Sequence, residues 1–162
     1  MSEQYQTRPF EPGMRGQLTK MVDVKKFCLA GNATITLVSK KTGTRFTYKI
    51  RRQYLEDDTP RDFWFVQLLT GSDNETDFTY LGQIKGHQGI QGFYHGAKSP
   101  IGQEAPSYQA FNWFWGRTRS VADSVLNELE VWHEGRCGRC NRKLTVPESI
   151  EQGFGPECIN YV

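Results

Sequence analysis

Apolar and polar residues alternate most clearly in the stretch ATITLVSKKTGTRFTYKIRR. Its second half places Phe46, Tyr48 and Ile50 at every other position, between threonine, lysine and arginine. A period of two residues is typical of β-strands with one buried and one exposed face. Between the two halves, Gly43 stands where a short hairpin loop requires a positive backbone angle. The pattern predicts a β-hairpin whose second strand has an aromatic core face and a basic face.

Further along the chain, FWFVQLL and FTYLGQI flank turn-forming residues and predict a second hairpin, and FYHG predicts one more short strand. Apolar residues then recur at helical spacing, which predicts a helix over about 107–119 and a short second one in VADSVLNEL. Strands followed by helices indicate an α+β fold. We expect an antiparallel sheet of about four to five strands with one or two packed helices, plus a small C-terminal zinc-binding element.

These elements divide the chain into three parts. Residues 1–20 mix proline and glycine with polar residues and predict an irregular N-terminal arm. Residues 21–130 form the predicted α+β body, and residues 131–162 form the predicted zinc-binding element. We therefore expect one main core with a small satellite beside it.

Composition narrows the class of protein further. The chain has 162 residues, a net charge of +2 and 37% hydrophobic residues, which is typical of a globular protein. It shows no apolar run of membrane-spanning length and no signal peptide at its N-terminus, so we expect a cytoplasmic protein without a membrane partner. In a reducing cytoplasm, clustered cysteines indicate metal ligands before disulfides.

Charged residues are segregated along the chain. Six basic and no acidic residues lie between Lys40 and Arg52, and a second basic cluster follows position 135. Such a strip is typical of surfaces that contact a phosphate backbone. The predicted binding residues are Lys40, Lys41, Arg45, Lys49, Arg51, Arg52, Arg139, Arg142 and Lys143. We expect Phe46, Tyr48 and Ile50 to be buried, which leaves the cations exposed without neighbouring stacking platforms.

Seven acidic residues lie between positions 56 and 77, against the single Arg61. Two loops carry most of them and offer an alternative partner surface that could mimic nucleic-acid phosphates. The residues of this surface are Glu56, Asp57, Asp58, Asp73, Glu75 and Asp77.

The cysteines of the C-terminal segment, in HEGRCGRC and in PEC, have the spacing of metal ligands. Cys137 and Cys140 are separated by two residues, and Cys158 follows after seventeen more. His133 and Cys28 are the two candidates for the fourth ligand. We favour His133, because Cys28 lies in an apolar stretch typical of a buried cysteine. Three thiolates and an imidazole would form a closed, structural Zn²⁺ site. A redox pair and unliganded thiols remain the alternatives.

The same segment resembles an uncharacterised zinc-binding module of phage and prophage proteins, with the pattern C-x-x-C-x-R-x-L-x-x-P-x-S-x-x-x-G-x-G-P-x-C. Residues 137–158 match this pattern at each defined position. The upstream blocks GNATITLVSKKTGTRFTYKIRR and AFNWFW are similar to regions that accompany the module. The resemblance implies a phage accessory protein in the cytoplasm of a bacterial host, and it implies no mechanism.

Three hypotheses for function follow. The first is a non-enzymatic accessory protein that binds nucleic acid or a host nucleic-acid-handling complex. The second is a protein-only inhibitor of a bacterial defence or transcription factor, acting through the acidic loops. The third is an enzyme similar to ADP-ribosyltransferases, since Tyr94, His95 and Gly96 match part of their strand motif. The sequence identifies no catalytic residue and no small-molecule substrate.

Overall fold

The computed structural model describes residues 16–73 and 75–162, so most of the predicted N-terminal arm lies outside the described residues. The strands are β1 (Gln17–Leu18), β2 (Asn32–Ser39), β3 (Arg45–Tyr54), β4 (Pro60–Leu69), β5 (Phe78–His87), β6 (Ile90–His95) and β7 (Leu129–His133). The α-helices are α1 (Met21–Leu29), α2 (Pro106–Arg117) and α3 (Pro147–Gln152), and 3-10 turns cover Asp123–Asn127 and Cys158–Tyr161.

The strands form one antiparallel sheet, which confirms the predicted α+β class. Their order is β1-β7-β2-β3-β4-β5-β6. The described sheet has seven strands, more than expected, because β7 and β1 extend it beyond β2. β7 spans the predicted boundary between body and zinc element, and β1 lies within the predicted arm, so both of these segments belong to the sheet.

The first predicted hairpin is formed by β2 and β3. Its register pairs Ile35 with Tyr48 and Val38 with Arg45, and Gly43 in the loop has a φ of 75°. Phe46, Tyr48 and Ile50 are buried, as predicted from their alternation. This strand therefore directs its aromatic side into the core.

Helix α2 covers that core, close to its predicted position. The hydroxyl of Tyr48 donates to the backbone oxygen of Ser107 at 2.6 Å, and the Tyr48 and Phe111 rings lie 4.9 Å apart. The indole N–H of Trp115 donates to the backbone oxygen of Gln91 at 2.8 Å. These contacts fix α2 against both the middle and the edge of the sheet.

Helix α1 was not anticipated from the sequence. Met21, Val24, Phe27 and Cys28 form its buried side, at the three- and four-residue spacing of a helix. The second short helix predicted in VADSVLNEL is instead the 3-10 turn Asp123–Asn127. Its Asp123 carboxylate accepts the N–H of Met21 at 2.8 Å, and so supports the start of α1.

The two faces of the sheet differ in what they contact. Alternate residues such as Tyr48 and Trp64 point toward α1 and α2, and the indole N–H of Trp64 donates to the backbone oxygen of Leu29 at 3.1 Å. Residues between them, such as Lys49 and Phe65, point to the opposite side, which we call the outer face. None of the helices in the described ranges is long and apolar enough to cross a membrane.

Candidate metal centre and exposed sheet face

Three cysteines meet beside the end of the sheet. The sulfur atoms of Cys137, Cys140 and Cys158 all lie within 4.8 Å of one another. Cys137 and Cys158 are buried, whereas Cys140 is exposed. Thiolates gathered at one point can hold a metal ion, because each sulfur supplies one ligand atom.

The first two cysteines belong to a tight turn. The N–H of Cys137 donates to the oxygen of Arg142, and the N–H of Asn141 donates back to the oxygen of Cys137, both at 2.8 Å. Asn141 provides the left-handed residue of this turn, with a φ of 65°. Gly138 is needed for space, because a Cβ atom there would lie 2.7 Å from the ring of Phe27.

Hydrogen bonding at Cys137 favours the thiolate. Burial acts to raise its pKa, but backbone N–H groups of Cys140, Gly155 and Arg139 donate to the sulfur, and the net result is a lowered pKa. The pKa of Cys158 is raised by burial, although the guanidinium of Arg139, 3.4 Å from its sulfur, opposes this effect. Backbone donors aimed at a sulfur are what a metal-bound thiolate requires.

Cys158 is brought to the cluster by α3 and the turn that follows. Gly153 ends the helix in the left-handed conformation, with a φ of 83°. The N–H of Gly138 donates to the oxygen of Gly153 at 2.9 Å, which joins the two halves of the element. Phe154 is 1% exposed and packs on Phe27, with ring centroids 5.7 Å apart. Helix α1 thus anchors both halves.

His133, predicted as the fourth ligand, is not brought to the cysteines. It faces the core from β7, stacks on Phe27 with centroids 5.4 Å apart, and forms hydrogen bonds through both ring nitrogens. Nε2 bonds to the oxygen of Ile150 at 2.5 Å, and Nδ1 accepts the N–H of Gly135 at 2.9 Å. The alternation of β7 explains the difference, because it places His133 on the core side, where it fastens α3 to the sheet.

Cys28, the alternative fourth ligand, also lies away from the cluster. It is 0% exposed on the inner side of α1, and burial raises the pKa of its thiol, so it behaves as a small apolar residue. Within residues 16–73 and 75–162, the group of side chains able to hold a metal ion comprises Cys137, Cys140 and Cys158.

The predicted basic residues fall into separate groups. Lys40 and Lys41 lie at the hairpin loop and line a cavity of about 640 Å³ with Phe46 and Trp113, on the helix side of the sheet. Arg51 lies at the opposite end of β3. The structure thus divides the strip that the sequence predicted as continuous.

Two arginines of that set support the fold itself. Arg52 pairs with Asp62 at 3.0 Å and lies over the ring of Trp64. Arg139 lies over the ring of Tyr161, and its backbone oxygen accepts the side-chain N–H of Asn32 at 2.8 Å. Arg45 is half-buried, whereas Arg142 and Lys143 are exposed beside the cysteine cluster.

The two acidic loops do not form one surface. One connects β3 to β4 and the other connects β4 to β5, so they lie at opposite ends of a ten-residue strand. At about 3.3 Å per residue, the strand separates them by roughly 30 Å. The side chain and the backbone N–H of Thr59 donate to the Asp57 carboxylate, and these bonds lower its pKa. The backbone N–H groups of Glu75 and Thr76 donate to the Asp73 carboxylate and lower its pKa. Their first role is to shape the turns.

The outer face carries a row of aromatic residues that the sequence analysis did not identify. The rings of Phe63 and Phe65 lie 5.0 Å apart, and those of Phe65 and Tyr80 lie 5.8 Å apart, both edge to face. Phe65 is 36% exposed and Tyr94 is 51% exposed. The strand FWFVQLL contained the signal, since its alternation buries Trp64 and places both phenylalanines on the outer face.

Cations surround this aromatic row. The guanidinium of Arg61 lies 5.1 Å from the ring centre of Phe63. The Lys85 ammonium lies 5.9 Å from the ring centres of both Phe63 and Tyr94. The outer face therefore combines exposed π-surfaces and positive charge, which are the two features of proteins that bind single strands.

A cleft of about 820 Å³ opens on the same face. Its lining includes Arg51, Phe65, Gln67, Tyr80, Gln83 and Lys98. The hydroxyl of Tyr80 donates to the side-chain oxygen of Gln83 at 2.5 Å, which fixes both side chains. The cleft thus has aromatic, amide and cationic groups in one place.

Tyr94 and His95, which match part of the ADP-ribosyltransferase motif, are the last two residues of β6, and Gly96 follows them. Tyr94 points to the outer face, whereas the half-buried ring of His95 bonds through Nε2 to the oxygen of Ile101 at 2.7 Å. This bond supports the loop that leads toward α2.

Comparison with known proteins identifies one similarity, at the C-terminus. Residues 129–160 match the model of a family described as a family of unknown function (DUF6011). The match begins at β7 and includes all three cysteines of the cluster. No curated protein and no solved structure matches the chain. The similarity therefore covers β7 and the cysteine-bearing element, and strands β1 to β6 lie outside it.

Proposed function

We propose that the protein is a non-enzymatic nucleic-acid-binding protein whose outer sheet face is the binding surface. The observation that carries the proposal is the presence of cations and aromatic rings on one exposed face. Lys85 lies close to two of these rings, and Arg51 lines the neighbouring cleft. Cations supply affinity for the phosphate backbone, and rings supply stacking surfaces for bases.

The cysteine cluster supports this surface as a structural zinc site, to which the described residues contribute three of the four ligands of a tetrahedral ion. Zn²⁺ held by sulfurs at about 2.3 Å in tetrahedral geometry places them roughly 3.8 Å apart, which the cluster accommodates. Backbone N–H groups directed at the Cys137 sulfur suit a bound thiolate. Zn²⁺ would hold Cys137 and Cys140 to Cys158 and contribute folding free energy.

The zinc element contacts the binding surface through Asn32. The N–H of Asn32 donates to the oxygen of Gly138 at 2.7 Å, and its side chain donates to the oxygen of Arg139. Asn32 is paired with Arg51 in the sheet. The element therefore stabilises the end of the sheet from which Arg51 projects.

Resemblance of the cysteine segment to phage modules suggests where the protein acts. We place it in a bacterial cytoplasm as a phage or prophage accessory protein, where its ligand is nucleic acid, free or within a host nucleic-acid-handling complex. The separation of the acidic loops at opposite ends of β4 gives no single surface for phosphate mimicry. Direct contact with nucleic acid is thus the function that the arrangement of charges favours.

Fluorescence anisotropy with labelled oligonucleotides tests the proposal. We expect binding at low ionic strength that weakens by about sevenfold or more between about 50 and 200 mM salt, as two or more phosphate contacts with a single strand require. Arg51→Glu combined with Lys85→Glu should abolish binding. The matched control is Lys40→Glu combined with Lys41→Glu, which reverses two charges on the helix side and should leave affinity within about twofold.

Absence of binding to any oligonucleotide at low salt would contradict the proposal, since phosphate contacts are strongest there. Equal losses in the two double variants would also contradict it, because the outer face would then have no special role. Thermal unfolding of each variant shows whether a loss of affinity reflects a loss of fold.

A further inference from the structure

The cleft on the outer face is large enough to admit a small aromatic ligand. Its volume of about 820 Å³ lies within the range of roughly 300–1,000 Å³ typical of small-molecule sites. Its lining includes two exposed rings, Tyr54 at 47% and Phe65 at 36%, and Phe65 is the one that lies in the aromatic row of the outer face. A ring that remains exposed on a sheet with a large core is available to a ligand.

The orientation of Phe65 is fixed before any ligand binds. Phe63 packs against it at an interplanar angle of 61° and Tyr80 at 83°. Tyr80 is itself held by its hydrogen bond to Gln83. A ligand that stacks here therefore loses little free energy in ordering the protein side chains.

Polar groups converge on the same ring. Gln83 on β5 is paired across the sheet with Phe65. Gln67 lies two residues after Phe65 on β4 and is paired with Tyr80. Side-chain amides carry both donors and acceptors, as the edges of nucleobases do. Arg51 and Lys98 stand at the rim, where a charged backbone would pass.

We propose that this cleft binds an unpaired base of a single-stranded nucleic acid, which stacks on Phe65 while the adjoining phosphates contact Arg51 and Lys98. This inference rests on the proposed function and specifies its substrate class. Bases in a duplex have both faces covered by their neighbours, so only an unpaired base can present a face to the ring. Gln67 and Gln83 would contact the edge of that base.

The test compares three labelled probes of equal length: a thymidine 12-mer, the same strand in duplex form, and the strand with abasic sites at its central positions. We expect the intact single strand to bind at least about tenfold more tightly than the other two. Phe65→Ala should weaken single-strand binding by about 5- to 150-fold, the range measured for loss of one stacked base. Phe65→Trp should retain it.

Trp113→Ala is the matched control, because Trp113 is a partly exposed aromatic residue on the helix side. It should leave the affinity unchanged. Equal affinity for the single strand, the duplex and the abasic strand would overturn the inference and leave the proposed function standing. Failure of all three probes to bind at low salt would overturn both. A loss in Phe65→Ala that Phe65→Trp shares equally would show that stacking is not the cause.

Discussion

Nε2 of His133 donates a hydrogen bond to the backbone oxygen of Ile150 at 2.5 Å, and this bond joins β7 to α3. Nδ1 accepts the N–H of Gly135 at 2.9 Å. Together these bonds require a neutral imidazole with its proton on Nε2, because a protonated Nδ1 has no lone pair for Gly135. The attachment of the cysteine element to the sheet therefore depends on the protonation state of one buried ring.

Protonation of His133 should destabilise the folded protein. Burial lowers the pKa of His133 below its usual 6.5, against an opposing contribution from the bond to Ile150. The unfolded chain thus takes up the proton at a higher pH than the folded chain. Stability from the neutral ring is complete above about pH 6.5 and is lost as the pH falls from there toward the folded pKa. Urea unfolding at several pH values should show the fall in the free energy of unfolding. The fall should be smaller in His133→Gln.

Metal release at low pH would produce a similar trend, since thiolates also take up protons. The unfolding series is therefore run on both chelator-treated and zinc-saturated protein. Equal pH dependence of wild type and His133→Gln after chelation would show that the ring does not titrate between the two states.

The zinc content of variants shows whether the cysteines of the cluster, His133 or Cys28 bind the metal. Elemental analysis of protein purified without added metal should find about one zinc per chain in the wild type, as expected for one tetrahedral site. Cys137→Ser should lose it, because one of the three ligands is removed. His133→Gln should retain it, since the ring is bonded to Ile150 and Gly135.

Cys28→Ala is the matched cysteine control, because Cys28 is fully buried in α1. It should retain zinc even if it lowers stability. Full zinc occupancy in Cys137→Ser would contradict the assignment of the cluster. Loss of zinc in His133→Gln, with the fold intact by circular dichroism, would return His133 to the ligand set.

Much of the sheet could be predicted because its strands alternate. Tyr48 and Ile50 were assigned to the core from a period of two residues, and the structure buries both. The same rule applied to FWFVQLL would have exposed Phe63 and Phe65, but a dense apolar run conceals its alternation. Local pattern therefore predicted the first hairpin better than the composition of the outer face.

Long-range pairing accounts for what the sequence could not show. β1 has two residues and becomes a strand only because β7 lies beside it. His133 could be assigned to the metal from its spacing to Cys137, yet the direction of its side chain depends on the pairing of β7 with β2. Spacing alone located the three cysteines, because their turn and helix are local structures.

Close packing of Gly138 on Phe27 should make this glycine sensitive to substitution. A Cβ atom there would lie 2.7 Å from two ring atoms of Phe27, which is itself held by Phe154 and His133. Gly138→Ala is expected to destabilise the protein by about 1–3 kcal/mol, the usual cost of overpacking a core. Chemical denaturation measures the change.

Gly155→Ala provides the matched substitution. Nothing lies within 4 Å of a Cβ atom at Gly155, although this residue also adjoins the cluster. Its backbone N–H, which bonds to the Cys137 sulfur, is retained in alanine. A loss at Gly155 as large as that at Gly138 would mean that backbone freedom, rather than contact with Phe27, explains the glycines of this element.

Stability of the sheet and stability of the cysteine element should be separable at Tyr48. The Tyr48 hydroxyl is buried and donates to the oxygen of Ser107 at 2.6 Å, where β3 contacts α2. Tyr48→Phe leaves that contact unmade, and we expect a loss of about 1–2 kcal/mol in the free energy of unfolding. Tyr94→Phe removes a hydroxyl from a residue that is 51% exposed and should change the free energy of unfolding by less than about 0.5 kcal/mol.

Zinc content should be unchanged in both variants. A fall in zinc content in Tyr48→Phe would instead show that the two parts, which share one hydrophobic core, unfold as one unit.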